Sequence, residues 1–175
     1  SSEASTGAAS CQSVGAPTFL YPAHDDPHKN HANLLDAWSL LAAEGMYPTL
    51  VLTLEDGKNR LNQCIENCRA KGGQVRCIGV VNHSDMMEIL RSTTALVYPS
   101  FIESFGLPLL EARQLDRPIV ASELDYVRDV CEPTETFDPH SPRSIARAIK
   151  RILRIKDPNP TPCSAVEAWH KMIVS

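Results

Sequence analysis

Three features that would indicate particular classes of protein are missing from this chain of 175 residues. Basic residues are not in excess: 17 Lys and Arg stand against 21 Asp and Glu, a net charge of −4, which argues against a nucleic-acid-binding protein. No apolar run approaches the roughly 20 residues that a membrane-spanning helix needs, and nothing near the start resembles a signal peptide. We therefore expect a soluble, cytoplasmic protein that associates with a membrane at most peripherally, at its inner face.

The six cysteines include no Cys-x-x-Cys pair. A chain of this length can bury a sizeable core without disulfides, so reduced thiols are expected. Cys64 and Cys68 lie one helical turn apart, but no suitably spaced second pair or histidine completes a metal site. The hydrophobic content of 43% is that of an ordinary globular domain.

The pattern along the chain predicts one α/β domain. Residues 1–16 are mostly Ser, Ala and Gly and predict a flexible lead-in or linker, followed by a domain at 17–175. Short apolar runs predict strands at 18–21, 49–54, 75–78, 95–98, 118–121 and, weakly, 136–137. Helical patterns between them cover 34–42, 59–70, a stretch after 84 to about 92 that the Ser84 side chain is predicted to cap, one from near 106, and one after 141–142. This alternation predicts a Rossmann-like, doubly wound parallel sheet with ligands at the carboxyl ends of its strands.

The segment after the fourth predicted strand combines an anion site with carboxylates. Residues 99–111 read PSFIESFGLPLLE. Gly106 allows a ligand to approach the backbone, and Pro108 suits the first turn of a helix, where free N–H groups favour an anion. Helical side chains tilt towards the N-terminus, so Glu111 could reach back to the same ligand.

These residues resemble glycosyltransferase family 4, whose C-terminal domain carries two glutamates separated by seven residues around an FGLP core. Glu103 and Glu111 match the pair, and Phe105, Gly106 and Leu107 belong to the matching core. Three further segments also resemble the family: PHKNH at 27–31, ALVYPS at 95–100 and RPIVAS at 117–122. The resemblance covers about residues 17–156 and implies the C-terminal half of a GT-B glycosyltransferase. It also implies that Glu103 contacts the donor hexose and Glu111 the ribose.

The loop after the first strand supplies the second part of the expected site. By the same resemblance, Lys29 binds the donor diphosphate and stabilises the charge on the leaving group. The family often carries an arginine five residues earlier, where this chain has His24. In the loop after the third strand, Val81 is the candidate contact to the nucleobase, with a simple turn as the alternative.

Two other interpretations of charged residues remain open. His24, His28 and His31 with two aspartates could form a metal cluster, although the family is typically metal-independent and we expect no metal or cofactor. Arg147, Arg151 and Arg154 on one helix face could contact anionic lipid, or form a solvated surface opposite a buried stripe.

The resemblance implies a retaining hexosyltransferase that uses a UDP- or GDP-linked sugar as donor substrate. Glu103 and Lys29 are its candidate catalytic residues. The N-terminal GT-B domain that binds the acceptor is not in the sequence, so we expect it in the same parent chain or in a separate subunit. Residues 164–174 resemble the family's last helix, which favours a fragment. The alternative function is a non-catalytic nucleotide-sugar-binding module that regulates or completes a partner chain.

Overall fold

The computed structural model of the chain describes residues 15–156, in which strands and helices alternate. The strands are β1 (Thr18–Tyr21), β2 (Thr49–Leu52), β3 (Gln74–Cys77), β4 (Ala95–Tyr98), β5 (Ile119–Ser122) and β6 (Glu135–Phe137). The α-helices are α1 (His31–Ala43), α2 (Asn62–Ala70), α3 (His83–Ser92), α4 (Leu107–Gln114), α5 (Asp125–Val130) and α6 (Pro142–Lys156), and a 3-10 turn (Pro27–Lys29) precedes α1. The fold is therefore the predicted Rossmann-like α/β fold.

The six strands form one sheet in the order β3-β2-β1-β4-β5-β6, and every neighbouring pair is parallel. The chain leaves β1 towards β2 and leaves β4 towards β5, so the connections after the two central strands run in opposite directions. Because these loops diverge, a crevice opens between them at the carboxyl edge of the sheet, which is where open α/β sheets bind ligands.

Helices cover both faces of the sheet, and the strand sequences reflect it. Every residue of β4 and β5 is buried, as expected for strands without a solvent-facing side. α1 packs against α2 and α6, whereas α4 packs against α5, β4 and β5. Trp38 of α1 is 1% exposed and donates its Nε1–H to the carbonyl oxygen of Pro48 at 2.9 Å, so its one polar atom is satisfied inside the core.

The structure corrects the sequence-based boundaries at several ends. Asn82 caps α3 by accepting a hydrogen bond from the Asp85 N–H at 2.8 Å, so the predicted cap at Ser84 is wrong. α2 begins at Asn62 rather than at 59. The helix α5 and the 3-10 turn were not predicted, because six and three residues are too few for a periodic pattern to be recognised.

The basic side of α6 is partly neutralised within the chain. Lys150 contacts Glu44, and Arg151 contacts Glu135, each with 2.6 Å between nitrogen and oxygen. On the other side of the helix, Ile145, Ile149 and Ile152 lie in the core. This arrangement favours a solvated basic face over a lipid-binding one.

Within residues 15–156, no helix is both long enough and apolar enough to cross a membrane. The predicted last helix at 164–174 lies outside the described residues, as does the predicted lead-in apart from residues 15 and 16.

Candidate functional site

A pocket of about 340 Å³ lies at the carboxyl edge of the sheet, where the loops after β1, β3 and β4 meet. It is lined by seven of the eight residues for which the sequence predicts donor contacts: His24, Lys29, Val81, Glu103, Phe105, Gly106 and Leu107. The residues come from three loops far apart in the sequence. The fold thus brings them together at the crevice beside the central strands.

Lys29 and Glu103 form an ion pair inside this pocket. The Lys29 Nζ lies 2.5 Å from Glu103 Oε1, and the two side chains are 20% and 11% exposed. The family resemblance implies that Lys29 contacts the diphosphate and that Glu103 contacts the sugar. In the structure they neutralise each other, so an anionic ligand has to compete with Glu103 for the ammonium group.

Several donors hold the Glu103 carboxylate in its ionised form. Burial alone would raise the pKa of Glu103, but hydrogen bonds from Lys29, Ser100 and Tyr98 outweigh burial and bring its pKa below the usual value. The Ser100 hydroxyl donates to Oε1 at 2.9 Å. Glu103 is therefore charged at neutral pH and can accept hydrogen bonds but not donate them.

Asn30, directly after Lys29, fixes the position of the lysine loop. Its backbone is left-handed (φ 60°), a conformation that asparagine tolerates better than most residues, and it is 4% exposed. Its Nδ2 donates to the carbonyl oxygens of Pro99 at 2.9 Å and Pro139 at 2.8 Å. Asn30 thus ties together the loops after β1, β4 and β6. In the sequence, Asn30 stands out only as part of the PHKNH segment at 27–31.

The start of α4 lies at the pocket wall. Gly106 precedes the helix in a left-handed conformation (φ 59°), and a Cβ there would lie 3.3 Å from Leu109 Cδ1. Pro108 occupies the first turn, where its missing N–H costs nothing. The helix therefore begins at the predicted place with a backbone that favours glycine, and an anion site at this helix start stays a prediction.

Glu111 does not line the pocket. It lies about one turn into α4, is 20% exposed, and its Oε1 is 3.2 Å from Nδ1 of His83 at the start of α3. The predicted contact from Glu111 to the ribose stays a prediction. A nucleotide that reached it would have to extend from the pocket past Leu107 towards α3.

Val81 lies where the pocket meets a second groove. This groove, of about 520 Å³, runs beside α3 and is lined by Val81, Ile78 and Ile89, among others. The left-handed Gly79 (φ 77°) donates its N–H to the Leu54 carbonyl oxygen at 2.9 Å and sets the course of the loop that carries Val81. An apolar ring could lie here, which is compatible with the predicted nucleobase contact.

The three histidines near Lys29 do not gather into a cluster. His24 lines the pocket and His28 is exposed, but His31 points into the core and is 2% exposed. Burial lowers the pKa of His31 to about 4, and neither ring nitrogen has a hydrogen-bond partner among the described residues. Within residues 15–156, no group of three or more His, Cys, Asp or Glu side chains could hold a metal ion. The described part of the chain therefore does not gather these histidines into one cluster, and the absence of a metal stays a prediction.

Large apolar side chains stand exposed around the pocket. Val80, Ile102, Phe105 and Leu107 are 76%, 69%, 77% and 59% exposed, whereas most other large apolar side chains of the described residues are buried. Clusters of this kind usually mark a surface that another molecule or domain covers.

Comparisons with known proteins place the chain among sugar-transferring enzymes. A family model described as "Glycosyl transferases group 1" matches residues 11–165. The serotype-specific mannosyltransferase WbdA of Escherichia coli is 28% identical over 159 residues, which are 89% of this chain and 20% of WbdA. The O-antigen chain mannosyltransferase B of the same organism is 31% identical over 138 residues, 77% of this chain and 36% of that protein.

Solved structures show the same fold. The catalytic domain of cholesterol-alpha-glucosyltransferase from Helicobacter pylori superposes with a TM-score of 0.66 at 21% identity, covering 80% of this chain and 87% of that one. Sucrose-phosphate synthase from Thermosynechococcus elongatus gives 0.68 at 24% identity, covering 79% and 36%. The chain thus spans about a fifth of the length of WbdA and about a third of mannosyltransferase B.

Proposed function

This chain belongs to the group 1 glycosyl transferases, and from that premise we propose that it is the donor-binding half of a retaining hexosyltransferase of the family 4 type. It would bind a nucleotide diphosphate sugar in the pocket between the loops after β1 and β4. The observation that carries the proposal is the pairing of Lys29 with Glu103 in this pocket, beside the start of α4.

Each part of the donor has a proposed partner among these residues. Breaking the bond between the anomeric carbon and the diphosphate leaves negative charge on the departing oxygens, which Lys29, His24 and the start of α4 would stabilise. Glu103, held ionised, would accept hydrogen bonds from hydroxyl groups of the hexose. We propose that Val81 contacts the base and that Glu111 contacts the ribose.

The donor is proposed to be UDP- or GDP-linked, and no resident metal or cofactor is required in this scheme. WbdA and mannosyltransferase B are mannosyltransferases by their names, and the second is named for O-antigen chains. A nucleotide-linked mannose is therefore the first donor to test, and a nucleotide-linked glucose is the second. By the same reasoning the acceptor would be a hydroxyl group of a growing glycan or lipid-linked glycan.

The other half of the active site would come from an N-terminal GT-B domain, in the same parent chain or in a separate subunit. The chain spans about a fifth of WbdA and about a third of mannosyltransferase B. The exposed side chains of Val80, Ile102, Phe105 and Leu107 offer an apolar rim that such a domain would cover. Closure over the pocket would exclude water from the reacting carbon. We propose a cytoplasmic location with at most peripheral contact to the inner face of a membrane.

Titration calorimetry tests the donor proposal. UDP, GDP and ADP, each alone and as hexose conjugates, are titrated into the chain with a chelator present. We expect one nucleoside diphosphate to bind, and Lys29→Ala to weaken it. Lys58→Ala is the matched control, because the Lys58 side chain is 78% exposed and contacts only Glu55, at 3.9 Å, among the described acidic groups. Absence of binding by every nucleotide and conjugate would overturn the proposal.

A transfer assay then separates the enzyme from a non-catalytic module. The parent protein is given the donor that binds and a glycan acceptor, as wild type and as Glu103→Gln. Loss of transfer in the variant supports catalysis. Donor binding without transfer in the wild-type parent would favour the regulatory module.

A further inference from the structure

Two buried hydroxyl groups lie directly beneath the Lys29–Glu103 pair. Tyr21 at the end of β1 and Ser100 just after β4 are both fully buried. The Tyr21 hydroxyl is 2.7 Å from Ser100 Oγ, and Ser100 Oγ is 2.9 Å from Glu103 Oε1. The Tyr21 hydroxyl also lies 2.7 Å from the carbonyl oxygen of Lys29. The Tyr21 phenol therefore contacts both the loop that carries Lys29 and the loop that carries Glu103, although 74 residues separate these two residues in the sequence.

The charges fix the direction of these hydrogen bonds. Glu103 is ionised and has no proton to give, so the Ser100 hydroxyl donates to it. Having used its only proton, Ser100 must accept the proton of Tyr21. Burial raises the pKa of Tyr21 well above its usual value, so the phenol keeps that proton and shares it between Ser100 and the Lys29 carbonyl.

The surroundings hold both hydroxyl groups in place. The Ser100 carbonyl accepts hydrogen bonds from the Tyr126 hydroxyl at 2.6 Å and from Ser122 Oγ at 3.1 Å. The Tyr21 ring packs edge to face against Tyr98, with centroids 5.6 Å apart. Because the Ser100 backbone and the Tyr21 ring are held in this way, the two hydroxyl groups have defined positions. They can therefore fix the orientation of the carboxylate.

We propose that Tyr21 and Ser100 are positioning residues of the donor site: their hydroxyl groups form a buried relay, Tyr21 to Ser100 to Glu103, that holds the glutamate in the orientation in which it contacts the donor hexose. This inference rests on the proposed function. A glutamate has three rotatable bonds, and fixing them before the ligand arrives removes an entropic cost of binding.

The variants Tyr21→Phe and Ser100→Ala each remove one hydroxyl of the relay. The matched controls are Tyr126→Phe and Ser122→Ala, which remove hydroxyl groups that bond to backbone carbonyls and not to the carboxylate. For UDP and UDP-glucose, or GDP and GDP-mannose, calorimetry gives the sugar preference, defined as the Kd of the free nucleotide divided by that of its conjugate. We expect Ser100→Ala to lower the sugar preference about tenfold and Tyr21→Phe about threefold. The Kd of the free nucleotide should stay within about twofold.

Ser100→Thr keeps a hydroxyl and should keep the wild-type preference. The two controls loosen the Ser100 backbone but leave every hydroxyl donor of the relay in place, so they should lower the preference clearly less than either relay variant, even if they lower the melting temperature as much. If the controls and the relay variants lose the same amount of sugar preference, the inference is overturned, because a general loosening of the structure around the site would then explain the loss. An unchanged preference in both relay variants would overturn it as well.

A measurement without ligand separates this inference from the proposed function. Carbon-13 labelled glutamate, assigned with Glu103→Gln, reports the protonation of Glu103 as the pH is lowered. We expect the Glu103 signal of Ser100→Ala to begin shifting at a higher pH than that of wild type, and the signals of both controls to follow wild type. This result supports the relay even if no nucleotide binds. Identical titration curves for wild type and Ser100→Ala would overturn it even if donors bind.

Discussion

The ion pair between Lys29 and Glu103 makes a prediction that neither residue alone would suggest: removing the glutamate should improve the binding of a plain nucleoside diphosphate. Glu103 Oε1 lies 2.5 Å from the ammonium group of Lys29, where the proposed function puts a phosphate oxygen. Glu103→Gln keeps the size of the side chain and removes its charge. Lys29 is then available to the diphosphate without competition.

The magnitudes follow from the charges. Lys29→Ala removes a charge-assisted contact worth about 1.5–3 kcal/mol, which is a loss of about 10- to 150-fold in affinity. It also leaves Glu103 without its cation. The uncompensated carboxylate would then repel a diphosphate, so the total loss should lie at or above the upper end of that range. Glu103→Gln should tighten the binding of the plain nucleotide by up to about tenfold, while the sugar preference is lost.

The assay is a double-mutant cycle by calorimetry with the nucleoside diphosphate that the wild type binds. The double variant Lys29→Ala/Glu103→Gln should bind more tightly than Lys29→Ala, because the repelling carboxylate is gone. Glu55→Gln is the control for the glutamate, since the Glu55 side chain is 58% exposed and lies outside the pocket. If Glu103→Gln weakens the plain nucleotide as much as Lys29→Ala does, the carboxylate does not compete with the phosphate and the reasoning fails.

Three further predictions follow from the site and its surroundings. Glu111→Ala should weaken a nucleoside diphosphate about tenfold and leave pyrophosphate unchanged, because only the nucleotide has a ribose; equal losses in calorimetry would place Glu111 elsewhere. The depressed pKa of His31, about 4, means that the unfolded chain takes up a proton below about pH 6.5 while the folded chain does not. Stability should therefore fall as the pH drops through this window, by roughly 2 kcal/mol between pH 7 and pH 5 in urea denaturation; His31→Gln should flatten this slope, and a wild-type stability independent of pH would refute it. Finally, the 175-residue chain alone should transfer sugar far more slowly than the chain combined with the proposed N-terminal domain, because orientation of donor and acceptor can contribute roughly 7–11 kcal/mol; robust transfer by the chain alone in a direct assay would place the acceptor site within it.

Much of the fold could be predicted because it rests on local patterns. β1 and β4 occupy the predicted residues, since a run of buried apolar residues bounded by polar ones has few other structures available in a chain of this kind. The left-handed Gly45 follows α1 as expected for a helix C-terminus, with its N–H 3.0 Å from the Ala42 carbonyl oxygen. Short elements such as α5 escaped prediction because six residues give too little periodicity.

Local sequence patterns place Lys29 after the first strand, Glu103 after the fourth and Gly106 at a helix start, and the family resemblance marks them as candidate site residues. Only the tertiary structure decided how these residues meet. The parallel order of the sheet puts β1 beside β4, which brings a lysine and a glutamate from distant loops within 2.5 Å of each other. It also buries Tyr21 and Ser100 beneath them. Such contacts depend on strand order and on the packing of side chains across the sheet, and the local periodicity of the sequence predicts neither of them.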